Sequence, residues 1–287
     1  MKVYSLPNSS SQSVLLLGDV DFVTDFAEKL QAASVSFYIL PAIGIDEDFD
    51  DDFSEGIPER SITGSDPAEF GKFAPYVVRE PGSLTIAFSH IVMLSVAPLN
   101  ERIPILEIAC SLNPQATIIT SVHSNTATEI GLLANQPERI TGVTLGPGIT
   151  HHASSADICA GLNTNPQHLE SAAGLLRTLG YVPNIVEDRV ALVQLRVLVM
   201  LINEAAFAVM EGVAHPADID NAMKLGVNYP RGLLAWADKI GLDVVLIVLE
   251  ALHREYQQER YRPCVLLKQY VRAGWLGIRS GRGFYTY

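Results

Sequence analysis

The first half of the chain alternates short apolar runs with segments that carry one apolar helical face. Residues 14–18 form such a run, and Phe22, Phe26 and Leu30 follow at the spacing of one face of a helix. A second apolar run covers residues 35–40. Strand, helix and strand in this order predict a βαβ unit, whose two strands pair in parallel through a right-handed crossover.

Further apolar runs of strand length continue this rhythm to about residue 145. They cover residues 84–88, 91–96, 117–120 and 140–145. Short strands that alternate with helical segments are typical of a doubly wound parallel sheet with helices on both faces. The first half therefore predicts an α/β fold.

The pattern becomes wholly helical from about residue 190. Residues 190–210 are the most apolar segment, but Gln194, Arg196, Asn203 and Glu204 interrupt it. A membrane-spanning helix needs about 20 predominantly apolar residues, so these polar groups exclude a span. We expect a buried core helix.

A second helix is predicted to start at Pro216, because proline favours the first helical position. Asp218 and Asp220 would then lie in its first turn, near the positive end of the helix dipole, and Gly226 would close it in the left-handed conformation. A third helix covers residues 242–258. The pattern as a whole predicts an α/β domain over residues 1–186 and an all-helical domain over residues 187–287.

Composition narrows the possible partners. The net charge is −12 and the 20 basic residues are scattered, which excludes a nucleic-acid partner. Cys110, Cys159 and Cys264 lie far apart, in no pattern that suits zinc or a disulfide framework, and the acidic run at residues 46–52 lacks the glycine and glutamate of a calcium loop. Residues 1–13 contain no apolar signal segment. We expect a cytoplasmic protein with no metal site and no membrane segment.

Three stretches of the second half resemble one enzyme family. Residues 211–226 read Glu-Gly-Val-Ala-His-Pro-Ala-Asp-Ile-Asp-Asn-Ala-Met-Lys-Leu-Gly, residues 229–238 read Tyr-Pro-Arg-Gly-Leu-Leu-Ala-Trp-Ala-Asp, and residues 280–285 read Ser-Gly-Arg-Gly-Phe-Tyr. In order and spacing they are similar to the C-terminal domain of the L-3-hydroxyacyl-CoA dehydrogenases. The chain most resembles the degenerate second dehydrogenase unit of some longer bacterial members.

The resemblance implies a Rossmann-like α/β domain that would hold NAD, followed by the all-helical domain. In this family the helical domain mediates dimerisation and, with the cleft between the domains, holds the acyl-CoA. We therefore expect a homodimer, with Leu233, Leu234 and Trp236 against the partner copy, and an acyl-CoA ligand.

The cofactor loop departs from the family pattern. The glycine fingerprint GxGxxG corresponds here to residues 18–23, in which only Gly18 remains and Val20 and Val23 replace the other two glycines. Asp19 and Asp21 would place two carboxylates beside the helix N-terminus, where they would repel a pyrophosphate. The acid that would bind the ribose is also missing. Gly18 and Ser124 are the candidate cofactor contacts, and NAD binding is predicted to be weak or lost.

The reacting positions depart from it as well. Thr144 takes the place of the catalytic histidine, and Leu195 takes that of a catalytic asparagine. Asp157 takes the place of the carboxylate that orients the histidine, although without an imidazole it has no proton relay to orient. Asn125 keeps a hydrogen-bonding side chain, whereas Ala127 replaces a serine.

Two functions follow from this comparison. The first is a 3-hydroxyacyl-CoA dehydrogenase homologue of acyl-CoA or fatty-acid degradation whose hydride chemistry is weak or lost, and which acts as an acyl-CoA-binding or dimerising partner. The alternative is an active NAD-dependent dehydrogenase with a rearranged site. In that site His151 or His152 would replace the missing base and act with Asp157 and Asn125.

Overall fold

The computed structural model describes residues 12–41, 66–78 and 87–287 of the chain. Within them seven strands and four α-helices alternate in the first half, and five further α-helices form the second half without any strand. The strands are β1 (Ser13–Gly18), β2 (Ser36–Ile39), β3 (His90–Leu94), β4 (Thr117–Ser121), β5 (Ile140–Val143), β6 (Ser155–Ala160) and β7 (Val182–Ile185). The helices are α1 (Val20–Ala32), α2 (Leu99–Leu112), α3 (Ala127–Leu133), α4 (Pro166–Thr178), α5 (Gln194–Met210), α6 (Pro216–Gly226), α7 (Leu233–Ile240), α8 (Leu242–Tyr256) and α9 (Val265–Arg272).

All seven strands form one sheet in the order β2-β1-β3-β4-β5-β6-β7. Strands β1 to β5 pair in parallel, β6 pairs antiparallel to β5, and β7 pairs parallel to β6. The inner strands are buried on both faces, as helices on both sides of a parallel sheet require. The predicted α/β fold with a doubly wound sheet is confirmed.

Two strands were missed by the sequence pattern, and one predicted strand was wrong in part. In β6, Ser155 and Asp157 interrupt the apolar run, and in β7 the sequence contains Pro183 and is mostly exposed. The predicted strand at residues 84–88 lies mostly outside the described residues, and Phe88 itself belongs to no strand. The acidic run at residues 46–52 also lies outside them.

The helical half packs against the sheet in one continuous apolar core. This core joins residues of α1 and β1 to residues of α5, α7 and α8. Two main-chain acceptors of the sheet half also receive hydrogen bonds across the junction, from the Trp236 indole to Gly148 O at 2.8 Å and from Arg254 to Ser124 O at 3.2 Å. In the part of the chain that is described, no helix has the length and apolar character needed to cross a membrane.

Helix α6 begins at Pro216 as predicted, but two details of that prediction were wrong. Asp220 is buried, and its carboxylate accepts hydrogen bonds from the main-chain N–H groups of Leu234 and Ala235, so it caps α7 and not its own helix. The left-handed residue beyond the helix is Asn228, with φ of 58°, and not Gly226. The cause is tertiary, since α7 starts against the side of α6.

The C-terminal residues are fastened to the helices by buried carboxylates. Asp238 accepts hydrogen bonds from Phe284 N and Tyr285 N, both at 2.9 Å, and the Tyr285 hydroxyl donates to Asp220. Gly283 is needed here, since a Cβ at that position would lie 2.0 Å from the Asp238 carboxylate. We call Asp220, Asp238 and the tail residues 283–287 the tail clasp.

Candidate active site

The parallel strands β1, β3, β4 and β5 all end at one edge of the sheet, which we call the carboxyl edge. Ligands of doubly wound folds bind in the crevice outside this edge. Of the predicted site residues, Gly18, Ser124, Asn125 and Thr144 follow the ends of these strands. Since β6 runs the other way, its N-terminal part lies at the same edge.

Thr144 and Asp157 come together across two strands. Val143 of β5 is paired with Ile158 of the antiparallel β6, so Thr144, one residue later, lies opposite Asp157, one residue earlier. Both are buried, with side chains 3% and 1% exposed. The structure thus places them beside each other, as the resemblance implies for the base and its partner carboxylate.

The Asp157 carboxylate is fully engaged by other groups. One oxygen accepts from the Asn184 amide at 2.8 Å, and the other accepts from the main-chain N–H groups of Val193 and Gln194 at 3.0 and 2.6 Å. These N–H groups begin helix α5, so Asp157 satisfies donors that the helix itself leaves free. Asp157 is therefore a helix cap in this chain.

A second capping carboxylate, Asp188, follows β7 and was not singled out by the sequence. It accepts hydrogen bonds from Ala127 N and Thr128 N at 2.8 Å and from the Thr128 hydroxyl at 2.7 Å, all at the start of α3. A single acid between β7 and α5 gives no periodic signal. Leu195, on the first turn of α5, is buried in the apolar core and offers no polar group.

Ser124 and Asn125 bond locally. The Ser124 hydroxyl donates to the Asn125 side-chain oxygen at 3.1 Å, and the Asn125 amide donates to Glu129 at 3.0 Å. Both side chains are partly exposed. They remain within reach of a ligand at the carboxyl edge, but a ligand would have to break these contacts to use their polar groups.

The two neighbouring histidines point to different parts of the molecule. The His151 ring bonds the main-chain oxygen of Asp25 at 3.0 Å and lies 3.6 Å from Glu28, so it faces helix α1. The His152 ring lies 3.1 Å from the Arg231 guanidinium, which must donate to it. Partial burial, followed by the nearby Arg231 charge, lowers the pKa of His152 below its ordinary value. Neither ring bonds Asp157.

The cofactor loop does not suit a dinucleotide. Gly18 has φ of 119°, and a Cβ there would lie 2.0 Å from Leu94 O, so glycine is retained for the close approach of β1 and β3. Val23 is buried in the core beneath the helix. The Phe22 ring lies against Gly146, where a Cβ would approach it to 2.4 Å. Branched and aromatic side chains thus occupy the turn where close backbone approach to a pyrophosphate needs glycine.

Asp19 lies at the N-cap position of α1, as the sequence predicts, but its side chain makes no cap hydrogen bond to that helix. Its buried carboxylate turns to the end of β3, where it accepts from the Ser95 hydroxyl at 2.8 Å. Asp21 does remain at the helix start, and accepts from Phe22 N.

An apolar cleft of about 540 Å³ opens between the two halves. Loop residues of the sheet half, including Ile149 and His152, line one wall, and the outer side of α5 lines another. The third wall comes from Tyr229, Pro230 and Trp236 of the helical half. Such a space suits an apolar group of a small molecule. Across the described ranges no three His, Cys, Asp or Glu side chains group to hold a metal ion.

Comparison with known proteins gives this architecture a family. Residues 193–287 match the family model described as 3-hydroxyacyl-CoA dehydrogenase, C-terminal domain. The chain is 39% identical over 193 residues to the probable 3-hydroxybutyryl-CoA dehydrogenase of Bacillus subtilis, a match that covers 67% of this chain and 66% of that relative. It thus spans slightly less than two thirds of the length of that relative.

Two further comparisons extend over more of the relative. The chain is 32% identical over 198 residues to the 3-hydroxybutyryl-CoA dehydrogenase of Clostridioides difficile, covering 69% of this chain and 70% of the relative. Its fold is similar to the crystal structure of FadB2 from M. tuberculosis, with a TM-score of 0.78 at 20% identity over 97% of this chain and 100% of the other. The chain belongs to the 3-hydroxyacyl-CoA dehydrogenase family.

Proposed function

We propose that this protein binds an acyl-CoA in the cleft between its two halves without oxidising it. The observation that carries this proposal is the state of Asp157. Oxidation of a hydroxyacyl group needs a base that removes the hydroxyl proton. Here Thr144 occupies that position, and the carboxylate beside it spends both oxygens on Asn184 and the start of α5.

Threonine cannot act as a base near neutral pH, and both oxygens of the Asp157 carboxylate already accept hydrogen bonds. The buried Leu195 removes a second polar group from the same region. The substitutions are therefore consistent with one another, since proton transfer and binding of the reacting oxygen are both weakened.

The cleft supports the binding part of the proposal. Its walls are mostly apolar, and polar groups of His152, Ser155 and Gln194 border it, with Arg231 bonded to His152. An acyl chain matches the apolar walls, and the cationic Arg231 matches the anionic CoA. Burial of apolar chain surface contributes about 25 cal/mol per Å² before the costs of association are subtracted.

Titration calorimetry with acetoacetyl-CoA tests the proposal. We expect saturable binding by the native chain, at least tenfold weaker binding by Leu198→Trp, which fills the cleft, and unchanged binding by Leu162→Trp. Leu162 is 87% exposed and lies outside the cleft, so it controls for the added indole. A native chain that gives no heat of binding at millimolar ligand would end the proposal.

One observation favours the alternative, an active NAD-dependent dehydrogenase. His152 borders the cleft, and because its pKa is lowered it is neutral near pH 7, as a general base must be. The alternative predicts that acetoacetyl-CoA oxidises NADH in the presence of the chain and that His152→Gln abolishes this activity. The same loss with His151→Gln instead would assign the role to the other ring.

We also propose self-association through the helical half, but not through the surface predicted from the sequence. Leu233 and Leu234 are 3% and 0% exposed within a single chain, so they cannot face a partner copy. The exposed apolar residues at the end of α6, Leu225 and Val227, are better candidates, with exposed fractions of 87% and 55%. Light scattering should give a dimer mass that Leu225→Glu lowers to the monomer mass, and a monomeric native chain at micromolar concentration would refute this.

A further inference from the structure

The crevice at which doubly wound folds bind dinucleotides lies between β1 and β3 in this chain. The chain leaves β1 toward β2 on one side and resumes in β3 on the other, so the strand order reverses there. Such a switch point is normally open, because no connection crosses it. Here the protein spans it with its own groups.

Asp19 makes the first connection across the switch point. Its main-chain N–H donates to Leu94 O at 3.0 Å. Its carboxylate, which is fully buried, accepts from the Ser95 hydroxyl at 2.8 Å and from Val96 N at 3.3 Å. A carboxylate therefore occupies the inside of the crevice, in contact with the end of β3.

The connection continues from β3 to β4 through two serines. Ser95 N donates to the Ser121 hydroxyl at 3.0 Å, and that hydroxyl donates to Ser95 O. The Arg102 guanidinium of α2 then donates through Nη2 to Ser121 O and to the Thr120 hydroxyl, each at 2.9 Å. One chain of hydrogen bonds joins the ends of β1, β3 and β4.

Arg102 is the positive charge in this hydrogen-bond network, and Asp19 is the negative charge. Its side chain is 1% exposed, and its Nε and Nη1 have no hydrogen-bond partner among the described residues. Burial lowers the pKa of Arg102 to about 10, and the strongest opposing influence is the charge of Asp19, followed by Glu129. A buried cation needs a counter-charge, and Asp19 supplies it from the other end of the network.

We propose that Asp19 and Arg102 form a buried charge pair that closes the switch point from inside, so that the carboxylate of Asp19 excludes a dinucleotide pyrophosphate from the crevice. The pair would hold the edge together by attraction between fixed charges, where a cofactor would otherwise link the strands. This inference goes beyond the proposed function, since the cleft can bind an acyl group whether the crevice is open or closed.

A double-mutant cycle in thermal unfolding tests the pair. We expect Asp19→Asn and Arg102→Met each to lower the midpoint by about 5 °C or more, because each removes one charge of the pair from the buried network. The double variant should lie closer to the native midpoint than the sum of the two losses. Asp21→Asn is the matched control on the same turn, and should shift the midpoint by less than about 2 °C.

The closed crevice also predicts that NADH at millimolar concentration does not raise the unfolding midpoint of the native chain. The fluorescence of NADH should also stay unchanged when it is mixed with the protein. Additive single losses would show that the charges are not paired, and an NADH-dependent rise in the midpoint would show that the crevice is open; either result overturns the inference. If Asp19→Asn fails to fold, the double variant should still fold, since both charges of the pair are then removed together. An insoluble double variant beside a soluble Arg102→Met would contradict the pair.

Discussion

The tail clasp and the carboxyl edge use the same kind of residue for the same purpose. In the tail clasp, Asp220 and Asp238 are buried and accept hydrogen bonds from main-chain N–H groups of other segments. In the sheet half, Asp157 at the carboxyl edge and Asp188 after β7 do the same for the starts of α5 and α3. In the clasp this is the architecture that the family motifs describe. At the carboxyl edge, the proposed function gives Asp157 the same structural role in place of proton transfer.

The comparison shows what the residues that carry the family resemblance do in the helical half. Asp220, Gly232, Asp238 and Gly283 all belong to the motifs that mark the family, and all serve packing or hydrogen bonding. A Cβ on Gly232, for example, would lie 2.2 Å from the Asp220 carboxylate. Motifs of this kind report ancestry and fold. They carry no information on whether a proton can be moved at the other end of the molecule.

The largest loss of stability is expected when the tail clasp is broken. Asp238→Ala removes the acceptor for two main-chain N–H groups and the Tyr287 hydroxyl, and should lower the free energy of unfolding by about 4 kcal/mol. Urea unfolding followed by circular dichroism measures this. Asp218→Ala, at an exposed position on α6, is the control and should change stability by less than about 0.5 kcal/mol. Equal losses of unfolding free energy in the two variants would show that the tail clasp does not stabilise the fold.

The next effect concerns the one glycine kept from the cofactor fingerprint. Gly18→Ala should cost about 3 kcal/mol, because the residue has φ of 119° and the new methyl would meet Leu94 O. The loss should be the same with and without NAD, since the glycine serves the packing of β1 on β3. If the variant kept its stability and changed only its affinity for NADH, Gly18 would instead be a cofactor-binding residue.

A smaller effect concerns the pH dependence of stability that two buried histidines cause. Burial lowers the pKa of His90 and of His168 below the ordinary value of 6.5. Between those lowered values and 6.5 the unfolded chain binds more protons, so stability should fall as the pH drops below about 6.5, by up to about 1.4 kcal/mol per pH unit for each ring. His90→Gln and His168→Gln should each make the pH dependence of urea unfolding shallower. An unchanged slope in both variants would contradict this.

The smallest effect is a gain. Gly174 lies inside α4 with open space where a Cβ would be, so Gly174→Ala should raise the free energy of unfolding by about 0.5 to 1 kcal/mol. It is the matched opposite of Gly18→Ala, because the same substitution acts where no close approach requires glycine. A loss of stability in α4 would show that space and backbone angle are insufficient to rank glycines here.

Sequence periodicity predicted the elements whose own residues show an uninterrupted apolar pattern. The βαβ unit at the start and the beginning of α6 at Pro216 were confirmed. Strands β6 and β7 were missed because Asp157 and Pro183 interrupt their apolar pattern. The polar residue in β6 is explained only by α5, whose first N–H groups donate to Asp157.

The sequence predicted the positions of the candidate site residues but not their hydrogen-bond partners. The resemblance identified Thr144 and Asp157, and the strand register places them opposite each other. The partners of Asp157 are 27 to 37 residues away along the chain, and Asp19 bonds Ser95 from 76 residues away. No local pattern encodes such contacts, so neither the partner of Asp19 nor Arg102 was singled out.

We infer that the motif residues shared with the family maintain the fold, whereas the residues that would remove the hydroxyl proton and bind the reacting oxygen are replaced. A single-turnover experiment tests it most directly, with the purified chain in excess over NADH and saturating acetoacetyl-CoA, and NADH absorbance as the readout. We predict no loss of absorbance beyond that of a protein-free control over several hours. Consumption of NADH within that time, abolished by His152→Gln, would contradict the account.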